Sequence, residues 1–316
     1  MLPDRSLVEG ALGGSGPQCA WGYAAAASIL ASTFRRPPPH PPRLAIAAGV
    51  GPDLPAPASA WLAALGADAR GLAGADATPR AWQRCGADGV RVQEWRGGRA
   101  PLAETLLPPV AALDAALVAA RAHHAGVDPL NPAHASWLRA LRAVAPPPTR
   151  LTAETFQEAA RRPTAAELAS TLAPVDRFSP NAREAASLVG SDGGVRGVLG
   201  RLLAAGDCGE IVLRSGADGA TLARPSGPAW TAPAVAHLTL IDDTGCGNAF
   251  LGALAAGDAA RADAATALAV ATAVAAAVAE AAGVPDAPPD GALLRLAGER
   301  AVWVRGRVVE GGAAPA

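Results

Sequence analysis

The residues best able to do chemistry stand together at Asp242-Asp243-Thr244-Gly245-Cys246-Gly247-Asn248. An apolar run precedes them and a helix-like run follows. A Thr-Gly-x-Gly turn opening a helix aims backbone N–H groups and the positive end of the helix dipole at one point, which is what an anion such as a phosphate needs. Gly245 and Gly247 let the chain turn tightly and let such a group approach the backbone closely. Taken alone, the turn would serve equally well as a plain helix cap. The same layout also opens dinucleotide-binding units, but Phe250 stands where their third glycine or alanine belongs and the turn comes late in the chain, so a nicotinamide or flavin oxidoreductase is disfavoured.

Three further stretches carry cap- and turn-forming residues. Ser179-Pro180-Asn181-Ala182-Arg183-Glu184 places a capping Asn before a helix and an acid in its first turn. Arg214-Ser215-Gly216-Ala217-Asp218-Gly219 is a tight turn between two apolar runs, and Gly13-Gly14-Ser15-Gly16-Pro17-Gln18 is a glycine turn before a helix.

Composition removes several other chemistries. The 316-residue chain has a formal net charge of −1 and is about half apolar, enough for a substantial core. It contains no lysine, so all 27 basic residues are arginine. Lysine Schiff-base catalysis, a Walker-type loop and a protein-kinase ATP lysine are therefore excluded. Scattered arginines form no basic stripe for nucleic acid, leaving a small molecule as the expected partner. The four cysteines make no Cys-x-x-Cys pair, and the five histidines fall in no metal-ligand spacing. The adjacent His123 and His124 cannot converge from one helix face. The run 265–284 reads as a buried helix and not a membrane span, and the N-terminus resembles no targeting peptide, so a cytoplasmic setting is expected.

The elements that must position these residues alternate between strand-like and helix-like runs, the pattern of a parallel sheet covered on both faces. Helices are expected at 22–32, 58–65, 113–124, 134–144, 165–172, 182–189 and 248–256. Strands are expected at 43–48, 90–95, 175–178, 210–213, 220–223 and 237–241, with a turn at 126–129. The proline-rich piece 37–42 reads as a surface loop, and 67–100 could hold a small lid within one domain spanning 1–316.

The run from Asp242 to Phe250, followed by Gly252, resembles the C-terminal signature of the PfkB/ribokinase family of carbohydrate kinases, usually D-T-T-G-A-G-D-x-F-x-G. The Pro180-Asn181-x-x-Glu184 stretch and the 211–220 hairpin resemble that family's other motifs, in the family's order. The resemblance implies a three-layer, ribokinase-like α/β fold with a mostly parallel sheet flanked by helices. It implies transfer of the ATP γ-phosphate to a hydroxyl of a sugar or polyol, with Mg2+. By the same resemblance Gly245, Cys246 and Gly247 form the anion hole, and Asn181, Ser215, Gly216, Gly219 and Thr244 face the nucleotide. Glu184 helps hold the metal, and Gly13, Gly14, Gln18 and Asp242 face the acceptor. Asn248, Ser179, Arg214 and the 78–82 segment resemble the divergent branch that includes the fungal maintenance-of-killer proteins.

Two departures bear on activity. The family's general base is an Asp at the position of Asn248, and an amide oxygen is too weak a base to replace it. That implies either a weak kinase or a nucleotide- or sugar-binding pseudokinase with a regulatory or scaffolding role. In addition, residues 1–12 make a poor buried strand, interrupted by Pro3, Asp4, Arg5 and Glu9. The family's first strand is thus expected to be cut short or absent.

Overall fold

The computed structural model describes residues 15–38, 43–72, 74–85, 91–96 and 107–313. In chain order the helices of more than three residues are α1 (Ser15–Ser32), α2 (Ala56–Ala64), α3 (Ala115–Val118), α4 (Pro132–Val144), α5 (Ala165–Leu172), α6 (Ala182–Val189), α7 (Gly194–Ala204), α8 (Cys246–Ala259), α9 (Ala264–Ala279) and α10 (Gly291–Arg305). The strands are β1 (Leu44–Ala48), β2 (Ala67–Leu72), β3 (Arg80–Cys85), β4 (Arg91–Arg96), β5 (Ala122–Val127), β6 (Arg150–Thr155), β7 (Arg177–Phe178), β8 (Ile211–Arg214), β9 (Ala220–Ala223), β10 (Pro228–Ala232) and β11 (Val309–Ala313).

Seven strands form one sheet in the order β11-β10-β9-β8-β7-β6-β5. From β5 to β8 neighbours run parallel, and from β8 to β11 antiparallel. The parallel part is buried on both faces, which short apolar strands such as Ile211-Val212-Leu213 allow. One face packs against α1, α8, α9 and α10 around Trp21, Phe250, Leu268 and Val274, and the other against α4 to α7 around Leu138, Leu172, Leu188 and Leu202. The result is the three-layer α/β fold expected. The pairs β1–β2 and β3–β4 stand as separate two-stranded sheets. Among the described residues no strand joins β1 to the edge strand β5, and residues 1–14, where the first strand was sought, lie outside those residues. No helix among them is long and apolar enough to cross a membrane.

Two expected elements are corrected. The helix sought at 113–124 is one turn, α3, capped by Asp114, whose side chain accepts from Ala116 N at 2.7 Å. Residues 122–127 leave it as strand β5, pairing residue for residue with Arg150–Thr155. Alanine and histidine favour neither state strongly, so the partner strand decides, and Gly126 and Val127 belong to β5 and not to a turn. The strand sought at 237–241 is an irregular segment. His237 takes φ 57°, and the N–H groups of Ile241 and Asp242 donate to Ala279 O at the end of α9 instead of to a neighbouring strand.

α8 is fixed to the rest at both ends of its length. Near its start, small residues bring it against α1: a Cβ at Gly22 would overlap Ala249 O, and one at Gly252 would overlap Cys19 O. Near its end, Asp258 accepts from Arg177 Nη1 at 2.9 Å and Nη2 at 3.1 Å. Arg177 is buried and also bonds Glu210, which Arg150 and Arg224 reach at 3.0 and 2.8 Å. Burial pushes the Glu210 carboxyl upward, but the three guanidinium groups outweigh it and hold the carboxyl below its ordinary value. The stability it contributes is therefore present above the unfolded glutamate range and is lost as pH falls through the lowered folded value. Glu210→Gln should cost about 3 kcal/mol, the low end for breaking a buried pair, because Asp258 still faces Arg177. Urea unfolding from neutral to acid pH checks this. The parent should lose stability toward acid more steeply than the variant, and equal slopes would contradict the argument.

Candidate active site

The carboxyl ends of β6 and β8 and the N-termini of α6 and α8 meet at one place, the usual ligand position of an open parallel sheet. Gly245 is the N-cap of α8 with φ 84°, a left-handed conformation that glycine adopts without strain. Asp242 shapes the turn: its carboxylate accepts from Thr244 N at 2.9 Å and from Gly283 N at 3.3 Å. Cys246, Gly247 and Asn248 occupy the first turn of α8, whose N–H groups lack intrahelical acceptors. Ala249 N already bonds Gly245 O. Gln18 is buried on α1 against this turn, and a Cβ at Gly245 would lie 2.7 Å from its side chain.

Asn181 caps α6 in a capping box. Its side-chain oxygen accepts from Arg183 N and Glu184 N at 3.0 and 2.9 Å, and Glu184 Oε2 accepts from Asn181 N at 2.7 Å. The cap uses only the amide oxygen, so the two N–H donors of Asn181 are not spent on it. Thr155 Oγ1 donates to the same Glu184 oxygen at 2.8 Å. Burial raises the Glu184 carboxyl above its ordinary value despite the pull of Arg214.

The hairpin residues are divided in role. Ser215 N bonds Gly219 O at 2.8 Å to close the β8–β9 turn. Gly219, at φ 89°, is required by close packing, because a Cβ would run into Ala232 O, whereas Gly216 at φ 56° stands open. Ser179 is buried, its hydroxyl donating to Val212 O at 2.8 Å. Gly13 and Gly14 lie outside the described residues.

At the centre are groups whose place the sequence did not reveal. Arg214, the last residue of β8, has Nη2 at 2.9 Å from Ser179 O, 3.1 Å from Glu154 Oε2 and 3.6 Å from Glu184 Oε2. Its Nη1 lies against Gly247 so closely that a Cβ there would overlap it. Glu154 is buried at the end of β6, and its Oε1 faces His124 Nε2 at 3.1 Å. His124 Nδ1 lies 3.0 Å from Thr152 Oγ1. As neighbours on a strand, His123 and His124 point to opposite faces. His123 meets Val118 O, and its burial lowers its pKa. The alternating run Leu151-Thr152-Ala153-Glu154-Thr155 was the available signal for Glu154. Burial, reinforced by the Glu154 charge, raises the Cys19 thiol far above its ordinary range, so Cys19 is not a nucleophile here.

This arrangement fits the anionic end of a nucleotide: a left-handed glycine cap, a helix N-terminus whose first N–H, that of Cys246, makes a long 3.3 Å bond to Asp243 O, and a glycine at 247 where a backbone must be approached closely. It does not fit a divalent ion held by protein carboxylates. Glu154 and Glu184 both face the Arg214 guanidinium, the Asp242 carboxylate in the turn accepts from Thr244 N and Gly283 N, and no three His, Cys, Asp or Glu among the described residues are grouped to hold a metal ion.

A glycine-capped helix start at the carboxyl ends of parallel strands is the layout of an open α/β protein with its ligand position at the sheet's edge. The profile of the pfkB family carbohydrate kinases matches residues 96–290, well over half the chain. The chain therefore belongs to the pfkB family of carbohydrate kinases. Among solved structures it is similar to a Burkholderia thailandensis nucleoside kinase in complex with inosine, at 18% identity over 93% of this chain and 88% of that one, with a TM-score of 0.64. It is also similar to a ribokinase from Cryptococcus neoformans var. grubii in complex with ADP, at 18% identity over 91% and 88%, TM-score 0.66. A third is a putative ribokinase II from E. coli in complex with ATP and Mg2+, at 17% identity over 92% and 88%, TM-score 0.64. These similarities establish a ribokinase-like fold. A sequence comparison with curated proteins finds no match.

Proposed function

We propose that the protein is an ATP-dependent kinase of a sugar or sugar-like alcohol with a weakened chemical step, from a branch resembling the maintenance-of-killer proteins. What supports this is the packing of Gln18 against Gly245, and of Arg214, whose backbone bridges Asn181, against Gly247, at one turn on the sheet's carboxyl edge. In the reaction the bond from the γ-phosphorus to the β,γ-bridging oxygen breaks and a bond to the acceptor hydroxyl oxygen forms. ADP leaves, and the hydroxyl proton is released. The first-turn N–H groups of α8 hold the transferring phosphoryl group, and Cys246 contributes its backbone N–H, exchanging its long bond to Asp243 O, and not its thiol. Gln18 and Asp242 flank the acceptor. Thr244, Ser215, Gly216 and Gly219 border the nucleotide, which is taken as ATP.

Asn248 supports a second reading. It can hydrogen-bond an acceptor hydroxyl but cannot remove its proton, so a pseudokinase that binds nucleotide or sugar for regulation or scaffolding also fits. Because positioning and charge stabilisation supply most of phosphoryl-transfer catalysis, loss of the base weakens transfer without abolishing it. The test is calorimetric titration with ATP and Mg2+, then ADP release against a panel of sugars and nucleosides. Saturable binding with acceptor-dependent ADP release is the expected result. A folded sample that takes up no ATP would end both nucleotide readings.

A further inference from the structure

We propose that Arg214 is the resident counter-cation of the phosphate site, so that the protein binds the polyphosphate of ATP without a divalent metal. This rests on the reading of the Gly245–Asn248 turn as the phosphate cradle.

The guanidinium stands where a metal bridging acidic side chains and phosphate would have to stand. On one side Nη2 faces Glu154 Oε2 at 3.1 Å and Glu184 Oε2 at 3.6 Å, and on the other Nη1 lies against Gly247 in the first turn of α8. Its position is built in. Arg214 N donates to Pro180 O at 3.1 Å, Nη2 donates to Ser179 O at 2.9 Å, and the side chain is 13% exposed. A positive group beside a helix N-terminus is electrostatically misplaced unless something holds it there. The two buried carboxylates do so, and with Arg214 in place a second cation would have to share both of them with it.

The guanidinium still has donors to give. It carries five N–H groups, and its Nε is buried with no hydrogen-bond partner among the described residues. A phosphate oxygen arriving at Gly247 would meet Nη1 directly and would accept charge-assisted bonds of the kind an arginine fork makes with phosphate. Magnesium, by contrast, demands regular octahedral oxygen coordination and gives up its water reluctantly, so it is poorly matched to carboxylates already engaged by an arginine.

The experiment is calorimetric titration of ATP, in EDTA and in excess Mg2+, into the parent, Arg214→Thr and Arg214→Lys. The parent should bind ATP with affinities in the two buffers that agree within about threefold. Arg214→Thr should lose about tenfold or more in EDTA and recover part of it with Mg2+, because the freed carboxylates can then share the ion. Arg214→Lys should fall between them, keeping the charge without the fork. The proposal is overturned if the parent binds ATP at least about tenfold more tightly with Mg2+ than in EDTA, or if Arg214→Thr binds as well as the parent in EDTA. The parent comparison needs no variant, so a poorly folding substitution does not spare the proposal. If the folded parent binds ATP in neither buffer, the kinase reading falls with it, whereas binding only with Mg2+ overturns this inference alone.

Discussion

Asn248→Asp should raise phosphoryl transfer to a competent acceptor by about 10²–10⁴-fold, the usual worth of a positioned general base. Residue 248 lies in the first turn of α8, two residues after Cys246, so an Asp carboxylate would sit beside the N–H groups proposed to receive the phosphoryl group. The substitution is nearly isosteric, and an acid near a helix N-terminus is favourable by about 0.3–1 kcal/mol, so the fold should tolerate it. ATP affinity should change little, because the exchanged group serves the acceptor and not the nucleotide. The diagnostic signature is a new acidic limb in the rate profile, where the introduced carboxyl must lose its proton before it can act. Turnover appearing only in the variant would favour the pseudokinase reading of the parent. Turnover already present in the parent would rule that reading out, and no gain in the variant would show that the base position is not what limits the chemistry.

The second large effect concerns the other side of the turn. Gly247→Ala should weaken ATP binding by about 10–100-fold while leaving the protein folded. Two terms compete. Alanine in a helix is favoured over glycine by about 1 kcal/mol, and residue 247 lies within α8, so helix propensity alone favours the change. The added methyl, however, would occupy the space of Arg214 Nη1. The guanidinium must then withdraw from Gly247 and strain its contacts with Ser179, Glu154 and Glu184, each charge-assisted bond being worth about 1.5–3 kcal/mol. Phosphate would also be held off the backbone by the same methyl. The strained contacts outweigh the helical gain, so stability falls somewhat as well, and the loss of ATP affinity is read on the folded protein. Unfolding curves beside ATP titrations separate the two, and unaltered ATP affinity would remove Gly247 from the phosphate site.

The C-terminal half of the fold was legible because its signals are local. Asn181 and Glu184 three residues apart announce a capped helix, the glycine pair at 245 and 247 announces a turn before α8, and Ile211-Val212-Leu213 can only be a buried strand. The same locality explains the misses. β5, Ala-His-His-Ala-Gly-Val, has no preference strong enough to declare itself and becomes a strand through its pairing with β6. β2, Ala67–Leu72, has a charged, partly exposed composition, and its hydrogen bonds to β1 determine its state. α7 begins at Gly194 after Gly193 and contains further glycines, so propensity argues against the helix that packing of Val198, Leu199 and Leu202 enforces.

The site divided along the same line. Residues that make the turn could be named from sequence, because a turn is a property of adjacent residues. The Glu154–Arg214–Glu184 cluster could not, because it assembles from β6, β8 and α6, separated by 60 and 30 positions in the chain. Arg214 was visible as an unusual residue in its hairpin, yet only the fold shows that its side chain crosses to Gly247.

The crossing of α1 and α8 has a kinetic consequence. At Gly22 against Ala249 and Cys19 against Gly252 the two backbones touch with no side chain between them, leaving nothing to shear as a bearing surface. The two helices must travel as one body, and with them Gln18, proposed for the acceptor side, and Gly245, proposed for the donor side. The two half-sites thus keep a constant separation whichever substrate arrives first. Neither ligand has to assemble the other's pocket, so initial-rate patterns should show random addition of ATP and acceptor, with each dissociation constant nearly independent of the partner.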